Sequence, residues 1–551
     1  MTVTEGNENR RNEEVNQEEN TSNKDIEPVK KRKEIKDLSP SEIFEKLVNY
    51  IKYIGSGILL GYCVAIVMTG NQEGKAVKGA GGIVLFWIFI CYLSCIEGGQ
   101  NALVGLQPID PTTYEKTHKI TALSTKLTRQ PGYLEKFVMG RQLLTVIVVF
   151  AINSVGSIST GCSTAFNTSP AISEIFCGSG LALIFVTILL GQVTSQVITA
   201  TCMLDFINNY IFAATTYVSV GIEFSGILHA VHFVSDVFQA ISGQKREDEV
   251  PFTLLDHVLY WGRVLVSFLF LGFSLGCIIQ EILKQHTNMW SGVPPGVSIF
   301  IFFALLCFVG IMEGLQIALF ACVKMNLKGD QESTPDHPHH DEQTVNTQEI
   351  TVGTGTSDVE LGVEGEKKST QNNNNNKPNN NKSNNNNGGQ HGIALANLDL
   401  VFHGKNLKSF VVGRQICVTV CMFVVARISG INGNDKVFTD TDYTTFGISE
   451  SFQNFVNTGI IGAFVTTILG SLIFRVIASK FPLLFLSNPL IYPVIHLCLL
   501  LESTGIIQFA KAMAKVLIFC FRLKSDHDYS LKQHQELKQV EEAEKHQNEA
   551  L

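Results

Sequence analysis

The sequence predicts an all-α polytopic membrane protein: ten transmembrane helices, arranged as two five-helix repeats of inverted topology. Three observations predict it. Apolar runs of about 20 residues, the length needed to cross a hydrocarbon core, recur along a chain that is 45% apolar and only 17% charged. The two ends are strongly polar, and one charged motif inside an apolar run returns, with its neighbours, in the second half of the chain.

The elements follow in order. Residues 1–38 lack any apolar core, so they read as a disordered tail rather than a cleavable leader. "SPSEIFEKL" then opens a helix, with Ser39 as N-cap, Pro40 at the first helical position and Glu42 completing a capping box. Hydropathy places spans at 52–70, 79–96, 138–158, 179–203 and 210–239, and again at 257–280, 295–322, 408–429, 455–478 and 482–508. The first repeat therefore occupies 39–242, and the second occupies 250–322 and 401–515. Between these last two, residues 323–400 carry "HPHHDE" and the tract "QNNNNNKPNNNKSNNNN", a composition that buries no core and reads as a disordered connector. Residues 516–551 form a polar, helix-prone tail whose heptads are too poor for a coiled coil.

Basic residues near the membrane set the orientation. "KKRK" at 30–33 and Lys511, Lys515, Arg522 and Lys524 put both termini in the cytoplasm, which requires an even number of crossings. The 106–137 loop carries five lysines and arginines, whereas 159–178 carries none. Lys480, in a loop that ten spans place outside, runs against the rule. Of the thirteen cysteines, most lie in apolar runs and pack as small hydrophobes. Cys162 and Cys177 flank the uncharged loop and either pair or remain free thiols.

The repeat is legible residue by residue. "IVLFWIFICYLSCIEGGQNAL" (83–103) matches "VSIFIFFALLCFVGIMEGLQIAL" (297–319), and "FVMGRQLLTVIVVF" (137–150) matches "FVVGRQICVTVCMF" (410–423). "GLALIFVTILLGQVTSQVITA" (180–200) matches "GIIGAFVTTILGSLIFRVIAS" (459–479), and "IEFSGIL" (222–228) matches "LESTGII" (501–507). An odd number of spans per half forces opposite insertion of the two halves, an arrangement of secondary transporters that hold solutes at the repeat interface.

Charged groups inside apolar runs are functional candidates, at roughly 2.5–3.5 kcal/mol each on insertion scales. Glu97 with Gln100, and Glu313 with Gln316, lie three residues apart and so share a helix face. Amides that both donate and accept suit a neutral polyhydroxylated solute, and Gln142 and Gln415 add two more. The ionised carboxylates offer oxygens to a hard cation, with Na+ at Glu97 and Glu313 one possibility. Arg141 and Arg414 either anchor those carboxylates, orient the solute, or snorkel to headgroups. Gly99, Gly140 and Gly413 allow close approach of a solute or a backbone, and the Gly98–Gly99 pair invites local unwinding. Glu223 and Glu502 read as ion-coupling or gating groups, or as helix–helix pairing. Asn153, Gln192 and Gln196 read as polar contacts between helices. No GxxxxGK[ST] sequence or soluble nucleotide domain is present, so energy comes from an ion gradient or transport is passive. Nothing points to catalysis, a bound cofactor or nucleic acid.

Paired EGxQ and GRQ signatures in a ten-span chain resemble the silicon transporter family. They are Glu97-Gly98-Gly99-Gln100 with Gly140-Arg141-Gln142, and Glu313-Gly314-Leu315-Gln316 with Gly413-Arg414-Gln415. The resemblance covers roughly residues 50–510. It implies uptake of silicic acid, commonly coupled to Na+, across the plasma membrane or the membrane of a silica-depositing compartment. A carrier of another small hydroxylated solute, such as boric acid, and a non-transporting scaffold or sensor are the competing readings.

Overall fold

A computed structural model describes residues 40–69, 80–156, 174–241, 254–290, 292–332, 386–404, 406–430 and 449–526, with isolated positions that include Tyr529. Ser39, Cys162, the Asn-rich tract up to residue 385 and most of the C-terminal tail lie outside the described residues. The chain divides into Met1–Tyr53, of which residues 40–53 are described and helical, and Ile54–Leu551. The site described below lies wholly in the second unit.

Helices make up the fold, with no strand among the described residues. The first half contains α1 (Pro40–Thr69), α2 (Ala80–Gly105), α3 (Lys119–Thr128), α4 (Tyr133–Gly156), α5 (Leu181–Thr199), α6 (Tyr210–Phe224) and α7 (Ala230–Ile241). The second contains α8 (Leu254–Leu283), α9 (Pro295–Glu332), α10 (Asn386–Phe402), α11 (Asn406–Ser429), α12 (Ile460–Lys480), α13 (Ile491–Ser503) and α14 (Phe509–Phe521). α9 outruns its expected end at residue 322, and α10 occupies a stretch expected to be connector.

Eight of these helices are long and apolar enough to cross a membrane, not ten. Two expected spans are missing from these eight: 210–239 is broken in two, and 482–508 holds α13 and ends in a break beyond which α14 continues. α6 stops at Phe224 and α7 starts at Ala230; α13 stops at Ser503 and α14 starts at Phe509. Each break turns on a glycine with positive φ, Gly226 at 81° and Gly505 at 74°, a conformation that glycine alone adopts without strain. Hydropathy averaged over a window passes over such a break, because each interruption is five residues long and keeps two residues that are Ile or Leu.

A break inside an apolar layer exposes backbone polar groups that must find partners. One serine does this at each break. Ser267 of α8 donates to the Ile227 carbonyl at 2.5 Å and accepts from the Ala230 N–H at 3.1 Å. Ser56 of α1 donates to the Ile506 carbonyl and accepts from the Phe509 N–H at 3.3 Å. The break in the first half is thus closed by the second half's opening helix, and the break in the second half by the first's.

α5 and α12 correspond in the same way. Each opens after a glycine with positive φ, Gly180 or Gly459. Each passes through a π-helical segment, Thr187–Val193 or Ile468–Leu472. A π turn rotates the side chains that follow it relative to a regular helix, and such turns concentrate at functional sites.

Outside the apolar layer, the chain beyond α14 returns to the first half. Asp526 accepts from the N–H groups of Met203 and Leu204 at 2.7 and 3.0 Å. Asp205 accepts from the Lys524 N–H at 2.6 Å and the Tyr529 hydroxyl at 3.0 Å, and its Oδ1 lies 2.9 Å from His118 Nε2. Burial works to raise the Asp205 carboxyl, but the hydrogen bonds from Lys524, His118 and Tyr529 together outweigh it and hold the group below its usual value. Tyr529 is pushed up to about 12 by burial and by that same carboxylate. Cys177 is held in a disulfide, while Cys162, with which it either pairs or remains a free thiol on the sequence reading, lies outside the described residues.

Candidate functional site

α2 and α9 present the two carboxylates, and α4 and α11 present the two GRQ arginines. Arg141 Nη1 donates to Glu97 Oε1 at 3.1 Å, and its Nη2 donates to Gln142 Oε1 at 2.9 Å. Arg414 Nη1 donates to Glu313 Oε1 at 3.1 Å, and its Nη2 donates to Gln415 Oε1 at 3.0 Å. Both arginines contact the carboxylates in the way an anchor would. Arg141 and Arg414 are 1% and 4% exposed, so neither snorkels. The fork of the guanidinium explains the adjacency of Arg and Gln in the motif. One terminal nitrogen reaches the carboxylate of another helix while the other fixes the amide next door, leaving the glutamine N–H2 group to point elsewhere.

The two half-sites meet. One cavity of about 30 Å³ is lined by Glu97, Gln100, Arg141 and Gln142 together with their counterparts Glu313, Gln316, Arg414 and Gln415. Gln192 and Gln196 of α5 line it too. Thr419 of α11 donates to Gln192 Oε1 at 2.6 Å, tying the two halves together at the cavity wall. Gln100 and Gln316 line the cavity with no side-chain hydrogen bond among the described residues, which leaves their amides available to a solute.

One residue was not anticipated. Arg475 of α12 lines the cavity and donates to Glu313 Oε2 through Nε at 2.9 Å and again through Nη2. Glu313 therefore has both oxygens taken by arginines, whereas Glu97 has an arginine on Oε1 alone. The position matching Arg475 in the first half is Gln196, so the two half-sites differ in charge. A lone arginine in the middle of the apolar run "GSLIFRVIAS" was the available signal.

Three expected site residues do not line the cavity. A Cβ on Gly140 would stand 1.8 Å from the Ser219 carbonyl oxygen, and one on Gly413 would stand 1.9 Å from that of Cys498. These glycines let α4 and α11 pack backbone to backbone against α6 and α13. Gly99 is covered by the Phe212 ring and Gly98 by the Phe206 ring, and α2 runs unbroken past both to Gly105. The expected unwinding is absent, and the two glycines serve instead to seat these rings against the helix.

Glu223 and Glu502 also lie apart from the cavity, each one residue from the end of its half-helix. Glu223 is buried with His232 Nε2 at 3.5 Å and His229 Nδ1 at 4.0 Å. Glu502 accepts from the Gln508 amide at 3.3 Å across the second break. Asn153 lines a different cavity, with Trp290 and Arg427.

A family model described as silicon transporter matches residues 45–345 and 379–550. No curated protein and no solved structure matches the chain. The match covers both halves, including all four motifs that converge on the cavity, and the long apolar helices supply the setting such a carrier needs. This is an integral membrane protein that belongs to the silicon transporter family.

Proposed function

We propose that the protein carries orthosilicic acid by Na+-coupled alternating access, with the cavity between its two halves as the substrate site. The observation that carries this reading is the convergence of Gln100, Gln142, Gln316 and Gln415 on one small cavity. Orthosilicic acid is a compact tetrahedral polyol, and each hydroxyl both donates and accepts. Amide groups held at several angles match it, and the arginine fork has already fixed the direction of two of them. Gln192 and Gln196 extend the same amide lining.

Counting each broken helix as one crossing gives ten crossings, five per half, so the halves are inserted in opposite senses with both ends of the chain in the cytoplasm. The exchange of serines supports this arrangement: Ser56 and Ser267 stand in each other's place, each closing the opposite half's break. Discontinuous helices at matched positions of two halves are the parts that rock in transporters of this kind. Glu223 and Glu502, at the ends of the half-helices, act there rather than on the solute. Na+ takes Oε2 of Glu97, the outer oxygen in the sense that no arginine holds it, because both oxygens of Glu313 are held by arginines.

Silicic acid uptake by the purified protein in proteoliposomes tests the reading. An inward Na+ gradient is expected to raise the initial rate at least tenfold over K+ alone. Equal rates with and without the gradient would remove sodium coupling, and no flux in either would remove transport.

A further inference from the structure

The cavity has a charge imbalance that a neutral substrate leaves uncorrected. Three guanidiniums line it, Arg141, Arg414 and Arg475, against two carboxylates, Glu97 and Glu313. Among the described residues no other charged side chain lines it; the remaining titratable neighbours are the thiols of Cys417 and Cys498 beside Arg414. Arginine does not deprotonate in proteins. With both glutamates ionised and the two thiols protonated, the cavity lining carries one net positive charge, and protonating either glutamate increases it. Each guanidinium has a carboxylate partner, but Arg414 and Arg475 share one, and incompletely compensated charge is unfavourable in a buried site.

A second, independent observation points the same way. Among the described residues, Arg141 Nε, Arg414 Nε and Arg475 Nη1 are buried N–H donors with no hydrogen-bond partner. Every other nitrogen of these groups that bonds does so to Glu97, Glu313, Gln142, Gln415 or Thr145. Unmet donors on charged groups cost more than neutral ones. All three belong to residues that line one cavity, and an oxyanion accepts the short, strong bonds that guanidiniums give. Arg475, which the first half replaces with Gln196, is the residue that tips the balance.

Building on the reading of this cavity as the silicic acid site, we propose that the protein holds its substrate as the singly deprotonated silicate monoanion, with Arg475 supplying the compensating charge. The chemistry balances simply. One Si–O–H group loses its proton to the bulk buffer, the O–H electron pair stays on the oxygen, and no bond to silicon changes. A positive cavity favours this ionisation even though the free acid is neutral at physiological pH. The order of loading follows. Na+ arriving first would raise the net charge of the cavity to two, whereas the anion brings it to zero and prepares the outer oxygen of Glu97 for the cation. The pair then crosses as a neutral cargo.

Proton release measures this directly. Silicic acid is titrated into the purified full-length protein by calorimetry at pH 7.5, in Tris and in HEPES, whose ionisation enthalpies differ. The expected result is about one proton released per silicic acid bound, with apparent affinity rising about tenfold per pH unit between pH 6 and 8. Arg475→Gln is expected to bind at least tenfold more weakly at pH 8 and to lose most of the pH slope. Binding with no proton release and no pH slope would overturn the proposal while leaving silicic acid as substrate. Binding that strengthens with chloride but releases no proton would overturn it too, by assigning the guanidinium edges to a separate anion. No silicic acid binding at any pH would remove the proposed function itself.

Discussion

Glu313→Gln is expected to abolish silicic acid uptake and to leave little folded protein. Glu313 is 3% exposed and holds two arginines, one on each oxygen. The amide that replaces it keeps the shape but leaves three guanidinium charges facing one remaining carboxylate. Removing one partner of a buried ion pair typically destabilises by about 3–5 kcal/mol, and here one substitution unpairs two arginines at once. Glu97→Gln is expected to be milder, because Glu97 holds one arginine and its side chain keeps 11% of its surface exposed. That variant should fold while transporting poorly. The charge account makes a sharper demand on the pair of substitutions. Glu313→Gln combined with Arg475→Gln restores the charge difference of the wild type and is expected to recover more than half of the lost thermal stability, as a double-mutant cycle reads it. A double variant no more stable than Glu313→Gln alone would contradict this assignment of charges.

Gly413→Ala is expected to have an effect of similar size for a different reason. The added Cβ would lie 1.9 Å from the Cys498 carbonyl oxygen and 2.5 Å from its carbon. Cys498 lies inside α13 (Ile491–Ser503), so that carbonyl cannot swing away without opening the helix. The overlap is worse than the side-chain crowding behind the roughly 1–3 kcal/mol usual for overpacking, so α11 and α13 must separate. Gly140→Ala meets the Ser219 carbonyl at 1.8 Å and is expected to behave alike. Gly221→Ala, two residues from Ser219 on α6, meets nothing within 4 Å and is expected to hold or raise stability, by up to about 1 kcal/mol from helix propensity. Thermal unfolding of the three variants in one detergent checks the ranking. Gly413→Ala melting with the wild type would remove the close approach.

How much of this was legible beforehand depends on what the sequence encodes locally. The recurrence of EGxQ and GRQ pointed to a duplicated site, and the structure brings Glu97, Arg141 and Gln142 to the same cavity as Glu313, Arg414 and Gln415. The glycines of those motifs were left open between two uses. Spacing shows that Gly140 and Gly413 permit close approach, but not whether a solute or a backbone approaches; here it is the carbonyls of Ser219 and Cys498. The breaks at Gly226 and Gly505 escaped because hydropathy measures composition rather than φ, although "FSGI" and "STGI" each carry the glycine. Arg475 escaped because it belongs to neither motif. Its role depends on α12 placing it beside Glu313, a contact across 162 residues. The serines that close the breaks are equally silent in sequence, since one polar residue in an apolar run has many ordinary uses.

The central claim is that silicic acid sits among the amides of the cavity shared by the two halves. Gln100 and Gln316 test it most directly, because they line that cavity without supporting any neighbour among the described residues. The measurement is initial silicic acid uptake into proteoliposomes by Gln100→Ala with Gln316→Ala, alongside wild type at matched protein content and melting temperature. The account predicts at least a tenfold fall in uptake with the melting temperature unchanged within a few degrees. Uptake at the wild-type rate in the folded double variant would contradict it.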